Sequence, residues 1–181
     1  MPTQHKVIDK AMDIGPFTTI RDLCRFKPLN DEPVVEFTLS DYVSGTEKNP
    51  DDLELWYGVH ALYNAHPGRN SVLSMYTQYI APSIVDYLQK VDSLKTLLRM
   101  RVNFFPYTKE VYEHEQHTDH EFSCKAAILY LNTCNGFTRL EDGTKIDSVE
   151  NRILLFDPHT PHNSTTTSNA KGRFNINCTY F

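Results

Sequence analysis

Residues able to do chemistry together crowd into the second half of the chain. His117-Thr118-Asp119 sets an imidazole and a carboxylate two positions apart. Asp157-Pro158-His159-Thr160-Pro161-His162 offers two further imidazoles, and Arg173 follows eleven positions after His162. Two histidines and one carboxylate form the ligand set that holds a redox-active iron on one face and leaves the opposite coordination positions open. An arginine beside such a centre could hold a carboxylate through two parallel hydrogen bonds. On an extended segment alternate side chains share a side, so His117 and Asp119 act together while His120 turns away. That alternation selects this pair over His114 and His120. From the residues alone the second imidazole is either His159 or His162.

These residues need rigid elements to position them. After Ser93 the chain reads as short strands: Leu97 to Phe105, Tyr112 to Phe122, Ala126 to Asn132, Phe137 to Leu140, Thr144 to Ile146, Ile153 to Phe156, Asn163 to Thr167 and Phe174 to Tyr180. Asn135-Gly136 and Asp142-Gly143 read as hairpin turns. About eight short strands separated by turns predict a jelly-roll-like double sheet. On the last strand Arg173, Asn175, Asn177 and Thr179 share one face, which would line a cleft. Phe174, Ile176, Cys178 and Tyr180 share the other, which would lie under helices.

The first half carries no comparable chemistry. Residues 1–14 are polar and are expected to fray, Pro33 to Leu39 reads as a short strand, and 44–52 as a loop. Asp51 and Asp52 would cap a helix from Leu53 to Asn64, ended by His66-Pro67-Gly68. A second helix is expected from Val72 to Leu88. Leu73, Tyr76, Ile80, Ile84 and Leu88 would form its apolar stripe, and Pro82 would bend it. The expected fold class is therefore mainly β with N-terminal supporting helices. Residues 1–95 form a mixed region and 96–181 the β core of one domain.

Composition narrows the function. A chain of 181 residues suits a single domain with a real core. Net charge is −5, the pI is about 5.9 and no Lys/Arg run occurs, which disfavours a nucleic-acid partner. Cys24, Cys124, Cys134 and Cys178 show no C-x-x-C spacing. The N-terminus lacks an apolar signal-peptide core, and no stretch approaches the roughly 18 apolar residues needed to span a bilayer. The expectation is four free thiols in a reducing, cytoplasmic setting with no membrane role.

Taken in order, HTD at 117–119, AILYLN at 127–132, NRILLFD at 151–157, PH at 161–162 and GRFNINCTYF at 172–181 resemble the 2-oxoglutarate/Fe(II)-dependent dioxygenases, in particular their prolyl-4-hydroxylase-like branch. The resemblance covers roughly the last eighty residues. It implies a double-stranded β-helix with Fe(II) held by His117, Asp119 and His162, since the family's distal histidine opens a strand and its basic partner follows by about ten residues. It implies 2-oxoglutarate bound through Arg173, with Tyr130 hydrogen-bonding the distal carboxylate, O₂ as second cosubstrate and ascorbate as reductant. The chain departs from some relatives at Phe105, where they carry a tyrosine. The implied reaction hydroxylates a peptidyl proline or a similar residue of a peptide or small molecule. The short length and the GFTRLEDGTKIDSVENR hairpin are similar to compact stand-alone members, including phage-encoded ones. Two other readings compete: a non-catalytic metal-binding jelly roll, and a zinc hydrolase suggested by His114-Glu115-Gln116-His117-Thr118-Asp119-His120. The zinc-hydrolase signature wants its first histidine where Glu115 stands.

Overall fold

The computed structural model describes residues 4–25, 35–41, 43, 56–65 and 70–181. Within them the alternation of the C-terminal half is realised as antiparallel strands. The central strand is β11 (Gly172–Tyr180), which pairs with β5 (Leu97–Pro106) on one side and β6 (Lys125–Tyr130) on the other. The sheet extends through β9 (Arg152–Phe156) to β1 (His5–Ile8) at one edge. At the other it extends through β3 (Tyr57–Asn64) to β2 (Thr38–Ser40), with β4 (Val72–Leu73) also on β3. Facing it is a small sheet in which β7 (Phe137–Leu140) lies between β10 (His162–Ser164) and β8 (Lys145–Asp147). The chain folds as a double-stranded β-helix.

The two faces of β11 divide as expected. Phe174, Ile176, Cys178 and Tyr180 join an apolar core under α1 (Ile14–Cys24) and α2 (Thr77–Asp92). Between the two sheets, Ile128, Tyr130, Leu140, Ile146, Leu154 and Phe156 form a second cluster. Arg173, Asn175, Asn177 and Thr179 face that side and are buried as well. Gly172 is required by close packing, since a Cβ there would lie 2.2 Å from the Phe104 ring and 3.1 Å from the Phe105 carbonyl. Gly172→Ala is expected to cost about 1–3 kcal/mol of stability, read as a lowered midpoint in denaturant with an unchanged slope.

Several expectations are corrected. The stretch expected as a helix over Leu53 to Asn64 is strand β3 from Tyr57 on. Its apolar positions fit either period, and pairing with β5 decides. The second helix starts at Thr77 rather than Val72, runs through Pro82 and ends at Ser93, whose left-handed conformation lets its N–H bond the Leu88 carbonyl. Ile80, Ile84 and Leu88 are buried as the stripe requires, whereas Leu73 sits exposed on β4. The polar N-terminus does not fray throughout: β1 pairs with β9, and Arg152 holds Asp9 through two bonds of 2.6 and 3.0 Å. Helix α1 was absent from the expectations, although Phe17, Ile20 and Cys24 recur at helical spacing and Pro16 sits in the first turn, where its missing N–H costs nothing. Of the strand expected over Pro33 to Leu39, Thr38 and Leu39 fall in β2 and 35–37 are not strand; Pro33 and Val34, the Asp51/Asp52 cap, the loop over 44–52 and His66-Pro67-Gly68 lie outside the described residues.

Asp142-Gly143 does turn β7 into β8, with Gly143 at φ 86°. Asn135-Gly136 instead carries the chain from the large sheet to the small one. A Cβ on Gly136 would meet the Thr166 carbonyl at 2.6 Å and Arg173 Cδ at 2.7 Å, so the glycine answers to packing. All four cysteines are free and buried, and among the described residues no helix is long and apolar enough to cross a membrane.

Candidate metal centre

His162 lies more than 40 positions after His117 and Asp119, yet the candidate ligand atoms of all three lie within 4.8 Å of one another. The segment expected as a strand over Tyr112 to Phe122 is not a continuous one. It touches the small sheet through isolated bridges, Glu113 with Thr165 and His117 with His162. Backbone bonds run both ways between His117 and His162, at 2.9 and 3.0 Å, and the Asp119 N–H donates to the Pro158 carbonyl. The segment is further tied down where Glu113 receives Arg139 of β7 and Asn163 of β10. Local extension across 117–119 is enough to put both side chains on one side, and His120 turns away to bond Thr179.

The histidines are oriented for ligation. His162 Nδ1–H donates to the Thr160 carbonyl at 3.0 Å and turns Nε2 toward Asp119 Oδ2, 3.9 Å away. His117 Nδ1 lies 3.5 Å from the Glu115 carbonyl, which leaves Nε2 as its lone-pair atom. Burial, reinforced by the charge His162 can carry, lowers the His117 pKa to about 4, so the ring is neutral at physiological pH. His159 lies outside this cluster: its ring bonds the His120 carbonyl from an exposed loop.

Asp119 is held by charge on one oxygen and by an amide on the other. Oδ1 lies 2.9 Å from Arg99 Nη2 and 3.6 Å from Arg101 Nη2, while Oδ2 accepts from Asn177 at 3.2 Å. The carboxylate is 3% exposed. Burial alone would favour its protonated form, but the two guanidinium groups outweigh that and hold its pKa well below the usual range. A metal could therefore take Oδ2 while Arg99 keeps Oδ1. Neither arginine was anticipated from the sequence, although both lie in phase with Asn103 and Phe105 on β5.

Behind the triad, Arg173 is fully buried. Its Nη2 donates to Thr138 Oγ1 at 2.9 Å and its Nη1 reaches the Thr165 carbonyl at 3.4 Å. The guanidinium lies over the rings of Phe105 and Tyr130. Its Nε has no partner, and no carboxylate pairs with it among the described residues. Tyr130, also fully buried, donates to the same Thr138 Oγ1 at 2.8 Å. Burial raises the Tyr130 pKa, which keeps the hydroxyl protonated as a donor. With two donors on Thr138 Oγ1, its own O–H proton is left for another acceptor. From the sequence Thr138 and the Thr165-Thr166-Thr167 run read only as strand residues with no role in the site, yet, buried, they stitch the small sheet to the loops around Arg173.

A cleft of about 390 Å³, including its open mouth, joins these parts. Its walls include His117, His162, Arg101, Asn103, Phe105 and Thr138. The arrangement can bind a divalent cation on one side and an anionic ligand against Thr138, with Arg173 behind.

No protein-family model matches the sequence, and no curated protein does. Solved structures do match. A 2OG-Fe(II) oxygenase family oxidoreductase from Burkholderia pseudomallei superposes with a TM-score of 0.68 at 12% identity, over 97% of this chain and 84% of that one. A prolyl hydroxylase from Trichoplax adhaerens, solved with a peptide fragment of the hypoxia inducible factor oxygen degradation domain, gives 0.56 at 15% identity over 98% and 83%. A viral collagen prolyl hydroxylase from Paramecium bursaria Chlorella virus 1, solved with 2OG, gives 0.51 at 11% identity over 97% and 93%. The chain thus has the fold of the 2OG-Fe(II) oxygenases and prolyl hydroxylases, as its motifs implied.

Proposed function

We propose that this protein is an Fe(II)- and 2-oxoglutarate-dependent hydroxylase acting on a peptidyl proline or a similar residue. One observation carries the reading: a His117, Asp119 and His162 cluster beside a cleft, with a buried Arg173 behind it that has no carboxylate partner among the described residues. A buried guanidinium without a counterion is costly, which favours a role in binding an anion.

His117, Asp119 and His162 would hold Fe(II), and Arg173 with Thr138 would take the distal carboxylate of 2-oxoglutarate. Tyr130, by donating to Thr138, would set the direction in which that hydroxyl donates. When bound, Fe(II) with 2-oxoglutarate and O₂ would supply the oxidant for a C–H bond, releasing succinate and CO₂. The protein's share is orientation: Nδ1–H bonds fix both imidazoles, and Arg99 with Asn177 fixes the carboxylate. Phe105 and Ile128 limit water along the apolar part of the cleft.

The purified protein with Fe(II), ascorbate, O₂ and 2-oxoglutarate is expected to form succinate, and to form more when its substrate is present. No succinate despite bound metal would favour the non-catalytic metal-binding module.

A further inference from the structure

The segment that carries His117 and Asp119 meets the segment that carries His162 out of step by one residue. Two isolated antiparallel bridges join them, Glu113 with Thr165 and His117 with His162. Four positions separate the bridges on the first segment and three on the second. One residue is therefore in excess on the first, as at a β-bulge. The offset decides which side chains share a face. A regular ladder continued from Glu113 and Thr165 would set Gln116 opposite His162 and turn His117 and Asp119 to the other side. With the extra residue His117 stands opposite His162, and the two ring centroids lie 4.8 Å apart.

A side-chain clasp fills the offset. Between the bridges the His114 N–H donates to the Ser164 carbonyl at 3.0 Å. The His114 carbonyl accepts from a side chain, Asn163 Nδ2, at 2.8 Å. The other hydrogen of that amide goes to Glu113 Oε1 at 2.9 Å. Both donors of Asn163 are thus committed, which fixes the amide's orientation and leaves Oδ1 unpartnered. Asn163 and His114 are each 2% exposed, so water competes poorly for these bonds. Arg139 completes the cluster from β7 by donating to both Glu113 oxygens, on the partly exposed outer side.

We propose that Asn163, oriented by Glu113, is a positioning residue of the metal centre: its amide holds the one-residue offset that brings His117 and Asp119 to the side of His162. This rests on the hydroxylase reading above, since it needs the triad to bind a metal. The buried and exposed parts of the clasp have different weights. Asn163 and the Glu113 acceptor carry the effect, whereas the partly exposed Arg139–Glu113 ion pair contributes little.

The test is the Mn(II) affinity of the full chain by calorimetry, at a temperature where circular dichroism shows each metal-free variant folded. Asn163→Leu keeps the size of the side chain and removes both donors. Its Mn(II) affinity is expected to fall roughly tenfold to a hundredfold, the range for partners that stand behind metal ligands. Glu113→Ala removes the acceptor that orients the amide and should act in the same direction. Glu113→Gln restores an acceptor without the charge and should recover most of that loss. Arg139→Ala should stay within about twofold of the wild type. A merely structural Asn163 would lower the melting temperature of the metal-free protein and leave the Mn(II) affinity of the folded variant unchanged, which would overturn the inference. Equal losses in Glu113→Gln and Glu113→Ala, or a loss in Arg139→Ala as large as in Asn163→Leu, would overturn it too. If Asn163→Leu does not fold, the two Glu113 variants decide. A wild type that binds no Mn(II) would sink the hydroxylase reading itself, whereas variants that match a metal-binding wild type sink this inference alone.

Discussion

Asp119→Asn is expected to abolish turnover and to weaken divalent-metal binding by more than about 100-fold, since changes merely behind the ligands already cost 10–100-fold. The carboxylate contributes the triad's only negative charge, and the amide that replaces it binds a hard cation poorly. The substitution also strands Arg99, which is 8% exposed and has Asp119 within 2.9 Å. Breaking a buried ion pair from one side costs about 3–5 kcal/mol, so a lowered melting temperature should accompany the loss. Asp119 is held ionised by Arg99 and Arg101. A carboxylate whose folded pKa is depressed contributes stability that is fully present above its unfolded pKa and is lost as pH falls through the folded value. The destabilisation of the Asn variant should therefore be complete at neutral pH and shrink only in strong acid. Metal titration by calorimetry and thermal melts across pH read both effects. His159→Ala, by contrast, should bind metal as the wild type does; metal loss in that variant together with retention in His162→Ala would reverse the assignment of the distal ligand.

Arg173→Met separates function from stability in the opposite direction. The guanidinium is fully buried with no described carboxylate partner, and its Nε is unsatisfied. Replacing such a buried cation with an apolar side chain of similar volume is often neutral or stabilising. The melting temperature is expected to hold or rise. The half-saturating concentration of 2-oxoglutarate should rise by roughly tenfold to hundredfold, the worth of a charge-assisted hydrogen bond. Unchanged 2-oxoglutarate binding would remove Arg173 from the site, and a large loss of stability would show that the charge is structural.

Much of the architecture was legible in the residues. Alternation on 172–180 assigns each side chain to the core or the cleft, because period 2 leaves no third option. Asp142-Gly143 was readable as a turn because Gly143 needs a positive φ. By contrast, the stretch ending at Asn64 is apolar at positions that suit a helix or a strand, and the β5 edge settles it. Asn135-Gly136 has the composition of a hairpin, but its neighbours in space are Thr166 and Arg173.

By itself the sequence determined the residue types of the candidate centre and their likeness to an oxygenase ligand set. It also determined the strand faces on which Arg173 and Tyr130 lie, because these follow from local order along the chain. It left His159 and His162 as equal donors by residue type. Only the tertiary structure decided that His162 stands beside His117 and Asp119 while His159 bonds the His120 carbonyl. Only the tertiary structure put Arg99 and Arg101 on Asp119, and Thr138 between Tyr130 and Arg173. Those contacts join segments of different strands, and the distance between strands is set by sheet pairing and burial, which spacing along one chain does not encode.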